Sequence, residues 1–405
     1  MPWEVNTVLD QRLDFIADCR RGEYAHAELC RSYGISRKTG YKWLARCAAD
    51  PVIGLLDRSR APATHPNRLG AELAEQIVAL RTDHPSWGPR KLRARLVREQ
   101  PDQPWPAPST IGALLRDGGL SSSRRRRGRA GERPRVPLTV GNGPNEVWTL
   151  DYKGHFALGD GTRCHPLTLQ DHYSRALLRC QALPREDFPG AQPVMVAAFR
   201  EFGLPEVLRS DNGAPFASSG LTGLTRLSAW WLRLGLRVER IAPAHPEQNG
   251  RHERMHATLK AEATRPPQRD LRAQQREFER FRHEYNYERP HEALGQAVPA
   301  DYYQRSPRAY PARLPTVEYP PGWEVRQVRT KGHVHWRGAL PFVSETLVGE
   351  PVGLCPLDER LWALYYNRMP LAIWDDGPRA WLRPRAAAAH LAALLTSPEL
   401  GEQEF

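Results

Sequence analysis

The chain has 405 residues, enough for about two to four domains at roughly 150 residues each. Lys and Arg number 58 against 46 Asp and Glu, and the formal net charge of +12 favours a polyanionic partner: nucleic acid first, an anionic membrane surface second. Hydrophobic residues at 40%, with 12 Trp, 13 Tyr and 10 Phe, argue against wholesale disorder. No apolar run approaches the roughly 20 residues of a membrane helix, and Met1 to Asp10 lacks a signal-peptide core, so the expectation is a cytoplasmic protein with no membrane partner. Six scattered cysteines without a C-x-x-C pair support neither a disulfide framework nor a zinc knuckle.

Residues 1–58 read as a helix-turn-helix domain. Leu9, Leu13, Ile16 and Arg20 recur at helical spacing and Gly22 marks a stop. A helix over Ala25 to Ser32 leads through Tyr33-Gly34-Ile35 to Ser36, a natural N-cap for a basic helix. Arg37, Lys38 and Lys42 would face the major groove, with Ile35, Tyr41 and Leu44 inward. A small bundle with a solvated basic face would show the same pattern; the net charge favours DNA. Residues 59–120 hold a Pro- and Arg-rich linker and a second, weaker helix-turn-helix pattern. Its helices carry Leu73, Ile77 and Leu80, then Leu92 and Leu96, then a stretch capped by Ser109 and ended by Gly118-Gly119. In the basic linker 121–143, Arg124, Arg125, Arg126 and Arg127 suit a tether that tracks phosphates without reading sequence.

From 144 to 305 the texture is α/β. Glu146 to Tyr152 alternates, with Val147, Thr149 and Asp151 on one face and Trp148, Leu150 and Tyr152 on the other. Two further strands follow, then helix, strand, helix, strand and helix, which indicates one layer with mixed pairing. A linker over 306–320 precedes short runs over 321–378 separated by Gly, Pro, Asn and Asp, the spacing of a small closed β-barrel. The tail 379–405 is Ala-rich and helical in pattern. The expected fold class is therefore multidomain: all-α N-terminal modules, a central α/β domain and a C-terminal β-barrel.

Asp151 lies at the end of the first strand of this layer, and Asp211 follows the fourth in Ser210-Asp211-Asn212-Gly213. Parallel pairing of those strands would bring both carboxylates to one sheet edge, where α/β layers build sites. Two adjacent carboxylates repel unless a cation lies between them, and hard oxygen donors favour Mg²⁺ or Mn²⁺ over zinc. Taken singly, each aspartate reads as a turn cap, and for an isolated Asp-Asn-Gly that is the better reading.

A third carboxylate is offered by His245-Pro246-Glu247-Gln248-Asn249-Gly250-Arg251-His252-Glu253-Arg254. Leu150-Asp151-Tyr152, Ser210-Asp211-Asn212-Gly213 and this stretch together resemble the three signature blocks of DDE transposases of the bacterial insertion-sequence type, whose core is similar to retroviral integrase. Asn286-Tyr287-Glu288-Arg289-Pro290-His291 is similar to the segment that closes that core. The resemblance implies an RNase H-like catalytic core in which Asp151, Asp211 and Glu253 hold two Mg²⁺ ions, with Mn²⁺ as substitute. It implies cleavage at terminal inverted repeats and strand transfer into target DNA by a homodimer or larger assembly on the nucleoid. DNA contacts are expected at Arg251 and Lys260 as well as the N-terminal basic residues.

Glu247 leaves thirty-five residues after Asp211, a spacing often associated with this family, but the family's acid follows Asn-Gly by three positions, which lands on Glu253. Glu253 also lies on a helix that can be aimed at the sheet edge, whereas Glu247 follows a proline in a loop. His252-Glu253-Arg254-Met255-His256 matches H-E-x-x-H, the pattern of zinc peptidases, yet that reading leaves Asp151, Asp211 and the basic modules unused. The transposase reading makes both histidines ordinary helix residues near DNA phosphate. A non-catalytic DNA-binding regulator could keep this architecture, and an RNase H-like nuclease would share the acid cluster. Three intact acids argue against the first, and two DNA-reading modules exceed what the second needs. Asp171 is read as a hairpin-turn residue.

Overall fold

The computed structural model describes residues 7–51, 53–57, 69–121, 138–218, 220–241 and 249–396; Arg124 to Arg127 and Glu247 lie outside them. The chain divides into two compact units, Met1–Leu69 and Gly70–Phe405. In the first, α1 (Val8–Arg21) starts at a capping box: the Thr7 hydroxyl accepts from the Asp10 backbone N–H and the Asp10 carboxylate accepts from that of Thr7. Gly22 ends it in the left-handed region, as its place in the sequence predicts. After α2 (His26–Ser32), Ser36 caps α3 (Arg37–Ala49) by accepting from the Thr39 N–H. Phe15, Ile16, Leu29, Trp43 and Cys47 close a small core.

The inward face of α3 differs from expectation. Ile35 and Leu44 pack against the core as expected, but Tyr41 is 61% exposed, and Gly40, Trp43 and Cys47 point inward with them. Gly40 explains the difference: a Cβ there would meet the Cys30 sulfur at 2.6 Å, so the bare backbone faces α2 and Tyr41 turns outward. Arg37, Lys38 and Lys42 lie with it on the exposed side.

The second unit begins with α4 (Ala71–Asp83), α5 (Pro89–Glu99) and α6 (Pro108–Asp117), packed around Ile77, Trp87, Leu92, Leu96, Ile111 and Leu115. Ser109 is not the cap of α6. Ala107 holds that position and Pro108 takes the first turn, where a missing N–H costs nothing. The basic side of α5 meets the segment that closes the central domain. Arg98 makes a bidentate pair with Asp301 at 2.7 and 3.0 Å, and the Lys91 amine donates to the Pro290 carbonyl. Burial and the nearby Arg289 push Lys91 down to about 8. Beside them, Arg289 pairs with Glu262 at 2.6 Å, and Glu262 also accepts from the Ser86 hydroxyl.

The central sheet contains β1 (Val147–Tyr152), β2 (Phe156–Ala157), β3 (Arg163–Asp171), β4 (Leu177–Leu183), β5 (Val207–Ser210) and β6 (Arg237–Arg240). β3 pairs antiparallel with β1, β2 and β4, while β1, β5 and β6 run parallel. Helices α7 (Phe188–Phe202) and α8 (Arg226–Arg233) cover one face; α9 (Gly250–Glu262) and α10 (Leu271–His283) cover the other. β1 sends Trp148 and Leu150 into the first layer. Thr149 and Asp151 turn to the second, as strand alternation requires. Asp171 is fully buried at the β3–β4 turn, accepting from Asn145 N and from the N–H and hydroxyl of Ser174, in keeping with its turn role.

The C-terminal region is not the closed barrel its strand spacing predicts. Strands β7 (Glu324–Gln327), β8 (Pro351–Pro356), β9 (Leu361–Tyr366), β10 (Met369–Asp375) and β11 (Ala380–Trp381) form an open antiparallel sheet in the order β11-β10-β9-β8-β7, not a closed barrel. The runs at Val334 to Trp336 and Leu340 to Val343 supply only isolated bridges. Closure is unnecessary because both faces are covered. Helix α11 (Pro384–Thr396) packs near Tyr365 and Ile373, while Trp336, Val343 and Leu347, with Leu224 and Leu232 of the central domain, fill the other side.

Candidate active site

The parallel register of β1 and β5 pairs Leu150 with Ser210, so the next residue on each strand, Asp151 and Asp211, emerges at the same sheet edge. Each carboxyl is held above the usual carboxylate range. For Asp151, burial is the main cause and the charges of Asp211 and Glu253 add to it, pushing it up to about 7. For Asp211, burial again leads, the Gly213 N–H opposes it, and the charge of Glu186 adds to it. Glu253 sits exposed in the first turn of α9, close enough for its charge to act on Asp151. Asn249 caps α9 by position without bonding to it; its side-chain amide donates instead to Asp151 Oδ2 at 3.3 Å.

The two histidines of α9 are not near-surface residues, contrary to the sequence-based expectation. His252 is fully buried and His256 is 5% exposed, because α9 lays this face against β1 and β3. Both Nε2 atoms lie 2.7 Å from one hydroxyl, that of Thr168, which also lies 2.9 Å from the Asp151 carbonyl. His252 Nδ1 lies 2.7 Å from the Thr149 hydroxyl. Burial drives His252 down to about 3 and His256 to about 2. Thr168 therefore occupies the point on which the H-E-x-x-H imidazoles converge, which leaves no room for zinc between them. Among the described residues, Asp151, His252 and His256 are the group of His, Cys, Asp and Glu side chains near enough to share an ion.

Sequence reasoning brought out the acids and the histidine pair. It missed Thr149, Thr168 and the Asn249 side chain, whose partners lie across the sheet and leave no local pattern. Arg251 is exposed, with one guanidinium N–H on the His172 carbonyl, and Lys260 is exposed further along α9. The donor set suits a divalent cation: two hard carboxylates, crowded and desolvated, whose mutual repulsion such an ion would relieve.

An integrase core domain model matches residues 141–246, another matches 234–299, and a homeodomain-like domain model matches 39–115. The Insertion element IS407 uncharacterized 31.7 kDa protein of Burkholderia multivorans is 28% identical over 243 residues, 58% of this chain and 82% of its own length. The Insertion element IS476 uncharacterized 39.2 kDa protein of Xanthomonas euvesicatoria is 27% identical over 273 residues, 66% and 75% of the two chains. Among solved structures, the HTLV-2 integrase catalytic core domain in complex with magnesium is similar at 15% identity and a TM-score of 0.33, over 40% of this chain and 99% of that one.

The central domain is thus an integrase-like polynucleotidyl transferase core, a class that generally uses divalent metal ions. Together with its homeodomain-like helices and insertion-element relatives, it makes this chain a DNA transposase of the insertion-sequence type. No helix among the described residues is long and apolar enough to cross a membrane.

Proposed function

We propose that this transposase cuts DNA at the ends of its element and joins them to target DNA, with Asp151, Asp211 and Glu253 as the acids that hold two Mg²⁺ ions. The observation that carries this reading is the parallel β1–β5 register, which sets Asp151 beside Asp211 with the charge of Glu253 within reach. When bound, the ions supply Lewis-acid activation of an attacking hydroxyl and charge stabilisation at the leaving oxygen. The protein's part is orientation. Asn249 holds one oxygen of Asp151, the Gly213 N–H holds one of Asp211, and the buried face of α9 fixes where Glu253 begins its reach.

Arg37, Lys38 and Lys42 on the exposed side of α3 would read the ends in the major groove, and Arg251 and Lys260 would meet phosphate near the site. Arg124 to Arg127 would track the backbone between them. Domain limits at 58, 120, 143, 305, 320 and 378 follow this division of labour, as does a cytoplasmic setting and a homodimer or larger assembly that holds two ends. The test is strand transfer with end binding as control. Asp151→Asn, Asp211→Asn and Glu253→Gln should each abolish joining while sparing binding to terminal repeats, and Glu247→Gln should keep substantial joining. Loss of joining in Glu247→Gln with activity kept in Glu253→Gln would refute the choice of third acid.

A further inference from the structure

The hydrogen bonds around Thr168 fix more than the position of α9. A threonine hydroxyl has one proton and two lone pairs. Its partners are the Asp151 carbonyl, which can only accept, and the Nε2 atoms of His252 and His256. The proton must therefore go to Asp151, and both imidazoles must donate from Nε2. A neutral ring that donates from Nε2 carries its lone pair on Nδ1. For His252 that lone pair is used, because Nδ1 accepts from the Thr149 hydroxyl. For His256 it is not: its Nδ1 has no hydrogen-bond donor among the described residues and faces Asp151 Oδ2 at 3.8 Å.

An imidazole lone pair and a carboxylate oxygen facing each other across 3.8 Å are both donors to a cation placed between them. The gap suits a shared ion. Two donors at about 2.1 Å from one ion stand roughly 3 to 4 Å apart, depending on the angle between them. His256 is only 5% exposed.

We propose that His256, through Nδ1, is a further ligand of the divalent ion held by Asp151. The proposal rests on the acid-site reading above and adds a nitrogen to its oxygen donors. It also accounts for the H-E-x-x-H match without zinc: one imidazole of the pair is fully engaged by threonines and the other is left open towards the acids. A nitrogen donor shifts preference from Mg²⁺ towards softer ions, so the site should bind Mn²⁺ more readily than a carboxylate set would.

The test is pulsed electron paramagnetic resonance of Mn²⁺ bound to the full chain without DNA, which reads nitrogen ligands directly and independently of activity. Unsubstituted protein should show nitrogen coupling that changes when histidine is supplied as the ¹⁵N form. His256→Asn should retain bound Mn²⁺, lose that coupling and bind the ion on the order of tenfold more weakly. Asp151→Asn should lose the ion. Bound Mn²⁺ with no histidine coupling in the unsubstituted protein, or coupling that persists in His256→Asn, would overturn the His256 assignment and leave the acid site standing. Binding unaffected by Asp151→Asn would instead overturn the acid site itself. The ¹⁵N comparison needs no variant, so a folding failure of His256→Asn does not remove the test.

Discussion

Thr168→Val removes the hydroxyl on which two imidazoles and a strand carbonyl converge, and its cost can be worked from the bonds. Valine has nearly the same shape, so no cavity opens. The change leaves two buried imidazole N–H groups without partners, while the Asp151 carbonyl stays in the β1–β3 ladder. Unsatisfied buried groups cost about 1–3 kcal/mol each and do not simply add, so roughly 3 kcal/mol is expected. At about 2–4 °C per kcal/mol for a unit of this size, the calorimetric transition of the central domain should fall by roughly 6–12 °C. Thr149→Val is the internal comparison. It removes a hydroxyl that lies 2.7 Å from His252 Nδ1 and 3.3 Å from the Gln170 carbonyl, leaves no imidazole N–H unpaired, and should cost about 1 kcal/mol. Thr168→Ser, which keeps the hydroxyl, should recover most of the loss. Equal shifts for the two valine variants, or a Thr168→Val shift below about 2 °C, would refute the three-bond arrangement.

The docking of α4–α6 on the central domain should depend more on the sheltered Arg289–Glu262 pair, which Ser86 meets from the helical side, than on exposed pairs across the contact. Glu262→Gln weakens a carboxylate bonded to Arg289 and Ser86, with side chains 9% and 19% exposed for the Arg289–Glu262 pair, and should cost about 2 kcal/mol in urea unfolding. Asp301→Asn breaks a pair half open to solvent and should cost under about 1 kcal/mol; the reverse order would sink this account. Acid should also destabilise the fold through His291, which burial and the nearby Lys91 push down to about 3 while Nε2 donates to the Tyr285 carbonyl. Its unfolded value is 6.5, so the unfolded chain binds more protons between pH 6.5 and 3. The stability that His291 supplies is full above 6.5 and is lost as pH falls through that window, by at most about 1.4 kcal/mol per pH unit. Urea midpoints measured at pH 7 and 5.5 should fall less for His291→Asn than for the unsubstituted chain, and equal falls would exclude this histidine.

Much of the molecule is determined by short-range pattern. Gly22, Ser36 and the Leu9–Ile16 spacing set the first helices because caps and periodicity act within a few residues. The alternation in β1 alone assigns Asp151 to the face opposite Trp148. Three things were decided only by the folded chain. Gly40 rather than Tyr41 faces α2, because the close approach of that helix is invisible from α3's own pattern. The C-terminal strands stayed open because a helix on one face and loop and core residues on the other supply the burial that closure would have given. The neighbours of Asp151 arrive from β3 and α9, and no local rule predicts that one threonine hydroxyl will meet two imidazoles across a sheet. Sequence spacing thus fixed which acids were available, and tertiary packing fixed what surrounds them, because desolvation and charge repulsion depend on distances through space.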